Sequence, residues 1–249
     1  MSMPFYVSPE QLIADKAKFA RTNIARGRAL VAMQYDAGIL LAAENPRTLR
    51  KISEIYDRIA FAGVGKYSEY DQLRQGGVRY ADLEGWKYSR EDVHARSLAN
   101  AYGQILGQSF THDMKPMEVE ILVAEVGYAA EDDELYHVTY DGIILDEDHF
   151  TVLPSDNEEI SDRLKEAWSA GLSLADALKV ATKALAGPDR TLNAADMEAA
   201  VLERSARRRA FRRLEEAELE QLLGNGSGIP AATAAEPAAP DAPAAPTET

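Results

Sequence analysis

Apolar residues at helical spacing predict an amphipathic helix near the start of the chain. Ser8, Pro9 and Gln11 form a typical helix start, with a capping hydroxyl, a proline at the first helical position and a polar residue three positions after the cap. The apolar positions recur on one face at Ile13, Ala17, Ala20 and Ile24. We therefore predict a helix over residues 8–26, preceded by a short apolar arm, residues 1–7.

Longer apolar runs predict strands that are covered on both faces, because half-exposed strands would alternate with polar residues. Residues 29–35 and 39–43 flank an Asp-Ala-Gly turn and are typical of a hairpin. Further strands are predicted at 58–63, 118–127, 135–140, 142–146, 150–153 and 197–203.

Helices are predicted between these groups of strands. They comprise a helix from about Tyr67, a long helix capped by Ser89, a helix carrying Ile160, Leu164 and Trp168, a helix capped by Ser173, and a terminal helix through Leu214, Leu219 and Leu222. The order is not the regular strand–helix alternation of a doubly wound sheet. We predict an α+β fold with mostly antiparallel sheets between helical layers.

Composition divides the chain of 249 residues into one large folded unit and a tail. Residues 224–249 hold five of the eleven prolines and no aromatic or basic residue, so we predict that they are disordered. The folded unit is then 8–223. The absence of cysteine excludes disulfides, thiolate metal sites and thiol nucleophiles, and is compatible with a cytoplasmic location. No apolar run approaches the roughly 20 residues that span a bilayer, so no membrane partner is expected.

Charge is unevenly distributed around a net value of −14. Residues 1–115 hold 16 Lys+Arg and 13 Asp+Glu, which leaves 11 and 28 for the remainder. Residues 118–162 contain fifteen acids and no Lys or Arg, but they lack the ligand spacing and glycine of a calcium loop. A solvated acidic rim is favoured over a metal site.

One cluster of basic residues occurs in this otherwise acidic half of the sequence, and acidic residues follow it directly. No aromatic platform or known binding module accompanies it, so a salt-bridged helix or a subunit contact is favoured over a nucleic-acid partner. The cluster comprises Arg204, Arg207, Arg208, Arg209, Arg212 and Arg213.

The chain offers few patterns of catalytic or cofactor-binding residues. The sequence Gly63-Val64-Gly65-Lys66 lies between a predicted strand and a predicted helix, but a phosphate-binding loop would need a Gly where Ala60 stands. No HExxH or GxSxG motif occurs, and we expect no cofactor and no metal. The four histidines are scattered and are interpreted as structural: His94, His112, His137 and His149.

Several long segments together resemble the α-type subunits of the actinobacterial 20S proteasome core, over about residues 3–223. The segments are SPEQLIADKAKFARTNIARGRALVAMQYDAGILLAAENP, LRKISEIYDRIAFAGVGKYSEYDQLRQGG, REDVHARSLANAYGQILGQSFT, KPMEVEILVAEVG and YHVTYDGIILDEDHF. The resemblance implies an N-terminal-nucleophile hydrolase-like αββα sandwich, with two antiparallel sheets between helical layers. It also implies a heptameric ring of such subunits in the cytoplasm, capping rings of β subunits that carry a threonine nucleophile.

The same resemblance implies that this chain is not catalytic. The nucleophile of a β subunit would correspond to Arg28, and an N-terminal nucleophile must be the first residue of its strand, because its own amino group is the base. Ser2 is far from that strand. The alternative, a stand-alone N-terminal-nucleophile amidohydrolase, would need Ser, Thr or Cys within Gly27-Arg28-Ala29, which has none. A simple acidic binding scaffold would explain the charge but not the resemblance.

Two binding roles also follow from the resemblance. Lys51 corresponds to the lysine that pairs with the C-terminal carboxylate of a docking ring ATPase, and actinobacterial relatives degrade proteins tagged by a ubiquitin-like modifier. Pro154-Ser155 replaces the family's usual Gly-Gly turn, and we expect that Ser155 still caps the next helix. The gate that blocks entry to the ring corresponds to Ser2, Met3, Pro4, Phe5, Tyr6 and Val7.

Overall fold

The computed structural model describes residues 8–205 and 208–224. The predicted gate arm, residues 1–7, Arg207 of the basic cluster, and the predicted tail apart from Gly224 lie outside these residues.

Ten strands in this part of the chain form two five-stranded sheets in which every neighbouring pair is antiparallel. The strands are β1 (Leu30–Tyr35), β2 (Gly38–Glu44), β3 (Ile52–Tyr56), β4 (Ile59–Gly65), β5 (Val119–Glu125), β6 (Glu134–Val138), β7 (Ile144–Glu147), β8 (Phe150–Leu153), β9 (Met197–Glu203) and β10 (Phe211–Leu214). The first sheet has the order β10-β9-β2-β1-β8 and the second β3-β4-β5-β6-β7.

Helices cover the outer face of each sheet. They are α1 (Pro9–Ile24), α2 (Tyr67–Lys87), α3 (Ala95–His112), α4 (Glu158–Ala167), α5 (Leu174–Ala186) and α6 (Glu216–Gly224). Apolar residues of α4, α5 and α6 pack on the first sheet, and those of α2 and α3 pack on the second. The predicted four-layer αββα sandwich is therefore confirmed.

The strands are buried on both faces, which explains their unbroken apolar runs. In β1, Leu30 and Ala32 point between the sheets, while Val31 and Met33 point toward the helices on the outer face. All four residues are fully buried, and burying a Leu, Val or Met side chain stabilises a fold by about 1.5–3 kcal/mol. Because alternate side chains point to opposite faces of the sheet, this one strand contributes to two apolar layers.

Helix α1 closes one end of the sandwich. Ser8 Oγ accepts a hydrogen bond from the backbone nitrogen of Gln11 at 3.2 Å, so the predicted cap is confirmed. Ala20 and Ile24 are buried in the layer between the sheets. Arg21 Nε donates to the hydroxyl of Tyr140 at 2.9 Å and fixes the outer side of the helix. The helix ends at Ile24, two residues before the predicted boundary.

Strand β3 and the start of α3 were not predicted correctly. Strand β3 has a register shift between Glu54 and Tyr56, which breaks the pattern that identifies strands. The Ser89 hydroxyl accepts from the backbone nitrogen of Glu91 and caps only a short 3₁₀ turn. Helix α3 begins at Ala95, whose nitrogen donates to Glu125 Oε2 at 2.6 Å. The carboxylate of Glu125, on strand β5, therefore accepts the hydrogen bond at the N-terminus of helix α3.

The C-terminal region differs from its prediction as well. The segment around Leu214 is strand β10, paired antiparallel with β9, and α6 starts only at Glu216. The basic residues here lie on a loop and a strand instead of a helix.

The prediction that Ser155 caps the helix after strand β8 is also wrong. Asn157 occupies the N-cap position of α4. The nitrogen and hydroxyl of Ser155 instead donate to the buried carboxylate of Glu120, at 2.8 and 3.0 Å. Glu120 also contacts Nε2 of the buried His137 at 2.9 Å, so Ser155 hydrogen-bonds to a buried polar pair.

Candidate docking site around Lys51

Lys51 immediately precedes strand β3, at the end of the sandwich that α1 covers. Its backbone carbonyl accepts from the nitrogen of Gly63 on β4 at 3.1 Å, so the ladder of the sheet continues to this residue. Its side chain is half-buried, and Nζ donates to the carbonyl oxygen of Arg28 at 2.5 Å. The ammonium group therefore lies beside the segment that joins α1 to β1.

The carboxylate of Glu198, on β9 of the other sheet, fixes the backbone at Lys51. Oε2 accepts from the nitrogen of Lys51 at 2.9 Å and from Asn45 Nδ2 at 2.7 Å. Oε1 accepts from the nitrogen of Ile52 at 3.2 Å and from Arg213 Nη1 at 2.8 Å. Glu198 is only 2% exposed, so its buried charge depends on these contacts for compensation. One buried carboxylate thereby couples the two sheets at this site.

A second buried carboxylate, that of Glu44, forms ion pairs with two arginines. Glu44, the last residue of β2, accepts from the guanidinium of Arg28 and, at 3.2 and 3.3 Å, from that of Arg190. Both guanidinium groups remain about half exposed, whereas the Glu44 side chain is buried. The ammonium of Lys51 and these two guanidinium groups thus lie around the same end of the sandwich.

Burial has the largest effect on the pKa of the Lys51 ammonium group. Burial lowers the pKa of Lys51 to about 8, and the nearby Arg28 lowers this pKa further, while Glu198 and Glu44 act in the opposite direction. The group is still mostly protonated at pH 7. A carboxylate entering from solvent would replace part of the lost hydration, so the site is suited to capturing a single carboxylate.

The position where a nucleophile would begin strand β1 lies within a continuous chain. The nitrogen of Gly27 donates to the carbonyl of Ile24 at 2.8 Å, and Arg28 follows directly. Because Ile24 packs between the sheets, α1 fills the end of the sandwich next to this position. No free amino group lies at the start of β1 in this part of the chain.

The other predicted site residues do not come together. His94 contacts Glu125, His149 contacts Gln34, and His112 contacts its own helix. Within residues 8–205 and 208–224, no group of three or more His, Asp or Glu side chains could hold a metal ion. The gate residues Ser2, Met3, Pro4, Phe5, Tyr6 and Val7 lie outside the described residues.

The basic cluster is largely neutralised within the chain, as the salt-bridge interpretation requires. Arg204 pairs with the buried Asp133 at 2.6 Å, and the remaining described arginines each lie within 4 Å of an acid. These pairs are Arg208 with Asp57, Arg209 with Glu54, Arg212 with Glu203 and Glu218, and Arg213 with Glu198.

Sequence reasoning missed the two carboxylates that build the site. Glu198 is 147 residues from Lys51, and no local pattern joins them. The only available signal is that Glu44 and Glu198 are acids at the ends of otherwise apolar strands, where a buried charge needs a partner.

None of the helices within the described residues is both long enough and apolar enough to cross a membrane.

Comparison with known proteins gives a consistent result over most of the chain. The family model described as "Proteasome subunit" matches residues 24–201. A protein named "Proteasome subunit alpha" from Sanguibacter keddieii is 53% identical over 234 residues, covering 92% of each chain. Proteins of the same name from Xylanimonas cellulosilytica and Streptosporangium roseum are 53% and 52% identical, covering 92% and 98% of this chain and 98% and 95% of their own length.

Proposed function

The chain belongs to the proteasome subunit family and is of its α type, and from this premise we propose that it forms the heptameric outer ring of a 20S core particle. As an α-type chain it has, in general terms, a non-catalytic role within a multi-subunit assembly. We further propose that β subunits carry the threonine nucleophile and stack beneath this ring. The assembly would act in the cytoplasm on proteins tagged by a ubiquitin-like modifier.

The geometry around Lys51 is the single observation that carries the docking role. A ring ATPase that engages the core would present a C-terminal carboxylate, and a long ammonium arm captures such a group as a point charge. The partly buried ammonium of Lys51 and the half-exposed guanidinium groups of Arg28 and Arg190 supply positive charge at one location. We infer that the carboxylate contacts Lys51 first and that the two arginines set the local potential.

An exposed apolar patch at the opposite end of the sandwich supports stacking on a β subunit. Strand β4 pairs with β3 and ends at Gly65, so helix α2, which follows it, begins at the Lys51 end of the sandwich. The 21 residues of α2 extend about 31 Å from this end. At its far end Trp86 is 84% exposed and Tyr88 is 72% exposed, with Leu83 one turn before them. Contiguous exposed apolar side chains of this kind mark protein contacts.

The proposed gate role concerns the apolar arm that precedes α1 in the sequence. The arm, residues 1–7, precedes Ser8, whose hydroxyl caps α1. An apolar, proline-containing arm of this length could pack against the arms of neighbouring copies at the ring axis. We propose that these arms block the entrance until an activator displaces them.

Native mass spectrometry of this chain co-expressed with a β-type partner from the same genome tests the whole assignment. A four-ring cylinder containing the unprocessed chain is expected. A lone monomer with amidase activity would favour the stand-alone amidohydrolase and refute the proposal. That alternative would also require a free amino group at the start of β1, where the chain continues into α1.

A further inference from the structure

The two edges of the second sheet carry opposite charge. In the order β3-β4-β5-β6-β7, strands β3 and β7 are the edges, about 19 Å apart at the usual spacing of neighbouring strands. The edges of the first sheet lie on the same two sides of the sandwich. Glu54 on β3 pairs with Arg209, which precedes β10, and a short turn joins β7 to β8. The sandwich thus has a β3/β10 side and a β7/β8 side.

The β3/β10 side presents cations that form no ion pair with a described residue. Arg47 and Arg50, in the loop that leads to β3, are exposed and form no ion pair with any residue that the structure describes. Leu49 lies between them and is 51% exposed. The acids of β3 and β9 are in contrast paired with arginines, including Glu54 with Arg209. We call Arg47, Leu49 and Arg50 the basic edge.

The β7/β8 side presents the complementary pattern. Asp146 and Asp148, at the end of β7 and in the turn that follows, are exposed and pair with no described cation. Asp146 has a minor electrostatic effect on Arg96, but Arg96 donates its hydrogen bond to Tyr136. Ile143, just before β7, is 56% exposed. We call Ile143, Asp146 and Asp148 the acidic edge.

Opposite charges on opposite sides of one molecule are what a head-to-tail contact between identical copies requires. Such a contact joins two different patches and produces a ring when its rotation closes. Each edge also combines an exposed aliphatic side chain with unpaired charges, the composition of a contact with an apolar centre and a charged rim. A symmetric pairing of either edge with itself would bring like charges together.

We propose that neighbouring copies in the α ring contact each other through the basic edge of one copy and the acidic edge of the next. This inference rests on the proposed function, since it names the surfaces that build the proposed ring. The contact is electrostatic in part, so assembly should weaken as salt increases.

Charge reversal tests the pairing in the complete chain co-expressed with its β-type partner. The variants are Arg47→Glu with Arg50→Glu, Asp146→Lys with Asp148→Lys, and all four substitutions together. All four side chains are exposed and unpaired, so the fold should tolerate the changes. Lys179→Glu with Lys183→Glu, on helix α5, is the control for the arginine double variant and has the same change of net charge.

Native mass spectrometry is expected to show rings for the original chain and the control, at least tenfold less ring in each double variant, and recovery in the quadruple variant. Recovery is the decisive result, because only a contact between the two edges restores complementary charge. Full ring formation in both double variants, or failure of the quadruple variant to recover, would overturn the proposed surfaces while leaving the ring itself established. Absence of rings with the original chain would refute the proposed function and this inference together.

Discussion

The carboxylate of Glu198 accepts a hydrogen bond at 2.9 Å from the backbone nitrogen of Lys51, and thereby ties the candidate docking residue to the opposite sheet. The same carboxylate binds Arg213 at 2.8 Å, so the position of Lys51 depends on a charge pair between β9 and β10. A side chain that acts through another in this way is a positioning residue. It should affect both the stability of the chain and the geometry of docking.

Glu198→Gln should lower the free energy of unfolding by about 2–4 kcal/mol, since a neutral amide loses one acceptor and leaves Arg213 without its counter-charge. Urea unfolding of the purified chain measures this change. Glu203→Gln is the control, because its partner Arg212 keeps Glu218 and the site is more exposed. Equal losses in both variants would contradict the positioning role.

Lys51→Ala should abolish ATPase-stimulated proteolysis by the assembled core and leave ring assembly unchanged. Lys51→Arg should restore little stimulation, because a planar guanidinium does not replace an ammonium confined beside the Arg28 carbonyl. Lys66→Ala removes an exposed lysine near the same end and serves as the control. Stimulation that persists in Lys51→Ala would refute docking at this residue.

Docking should weaken as pH rises from about 7 to 9, because carboxylate capture needs the ammonium form and the pKa of Lys51 is about 8. Stability should change in the opposite direction. The pKa of Lys51 is lower in the folded chain than in the unfolded one, so the unfolded chain binds more protons between about pH 8 and the ordinary lysine pKa, and this residue's contribution to stability rises with pH there.

Binding of a C-terminal ATPase peptide to assembled rings, measured across this pH range, separates the two effects. Lys51→Met, which has no ammonium group, should bind the peptide weakly at every pH in this range and should lack the corresponding rise in stability. An unchanged binding profile in Lys51→Met would show that another group titrates.

Elements whose determinants are local could be predicted from the sequence. The caps at Ser8 and Ser173 were identified from residues within three positions, and both hydroxyls accept the expected backbone hydrogen bond. Strand β9 was predicted at its observed bounds, Met197–Glu203, and its apolar run, residues 199–202, is local to the strand and lies between two charged residues.

Features determined by distant residues could not be predicted in this way. The start of α3 depends on Glu125, which comes from another strand, and strand β10 depends on pairing with β9. The environment of Lys51 depends on Glu198, far away in sequence. Spacing alone assigned no role to Lys51; only the resemblance to a family did, and the carboxylates that hold it became visible only in the fold.

Trp86→Ser with Tyr88→Ser should weaken attachment of the α ring to β subunits at least tenfold, because these are two strongly exposed aromatic side chains at the end of the sandwich opposite Lys51. Dissociation of assembled particles on dilution, followed by native mass spectrometry, measures the loss. Met114→Ser, at a residue that is 98% exposed and lies at the Lys51 end of the sandwich, is the control. Particles as stable as the original would show that this patch does not face the β ring.

Deletion of residues 2–7 should speed hydrolysis of an unfolded protein by the assembled core in the absence of an activator. The expected increase is several-fold, because the arms would no longer block the ring axis while α1, which starts after Ser8, keeps its cap. Hydrolysis of a short fluorogenic peptide is the internal control, since a small substrate depends less on the width of the entrance. A matched variant that replaces the same residues with Gly and Ser keeps the length of the arm but removes its apolar side chains. If apolar packing between arms closes the gate, this variant should behave like the deletion; if both variants degrade the unfolded protein no faster than the original chain, the arm is not the barrier.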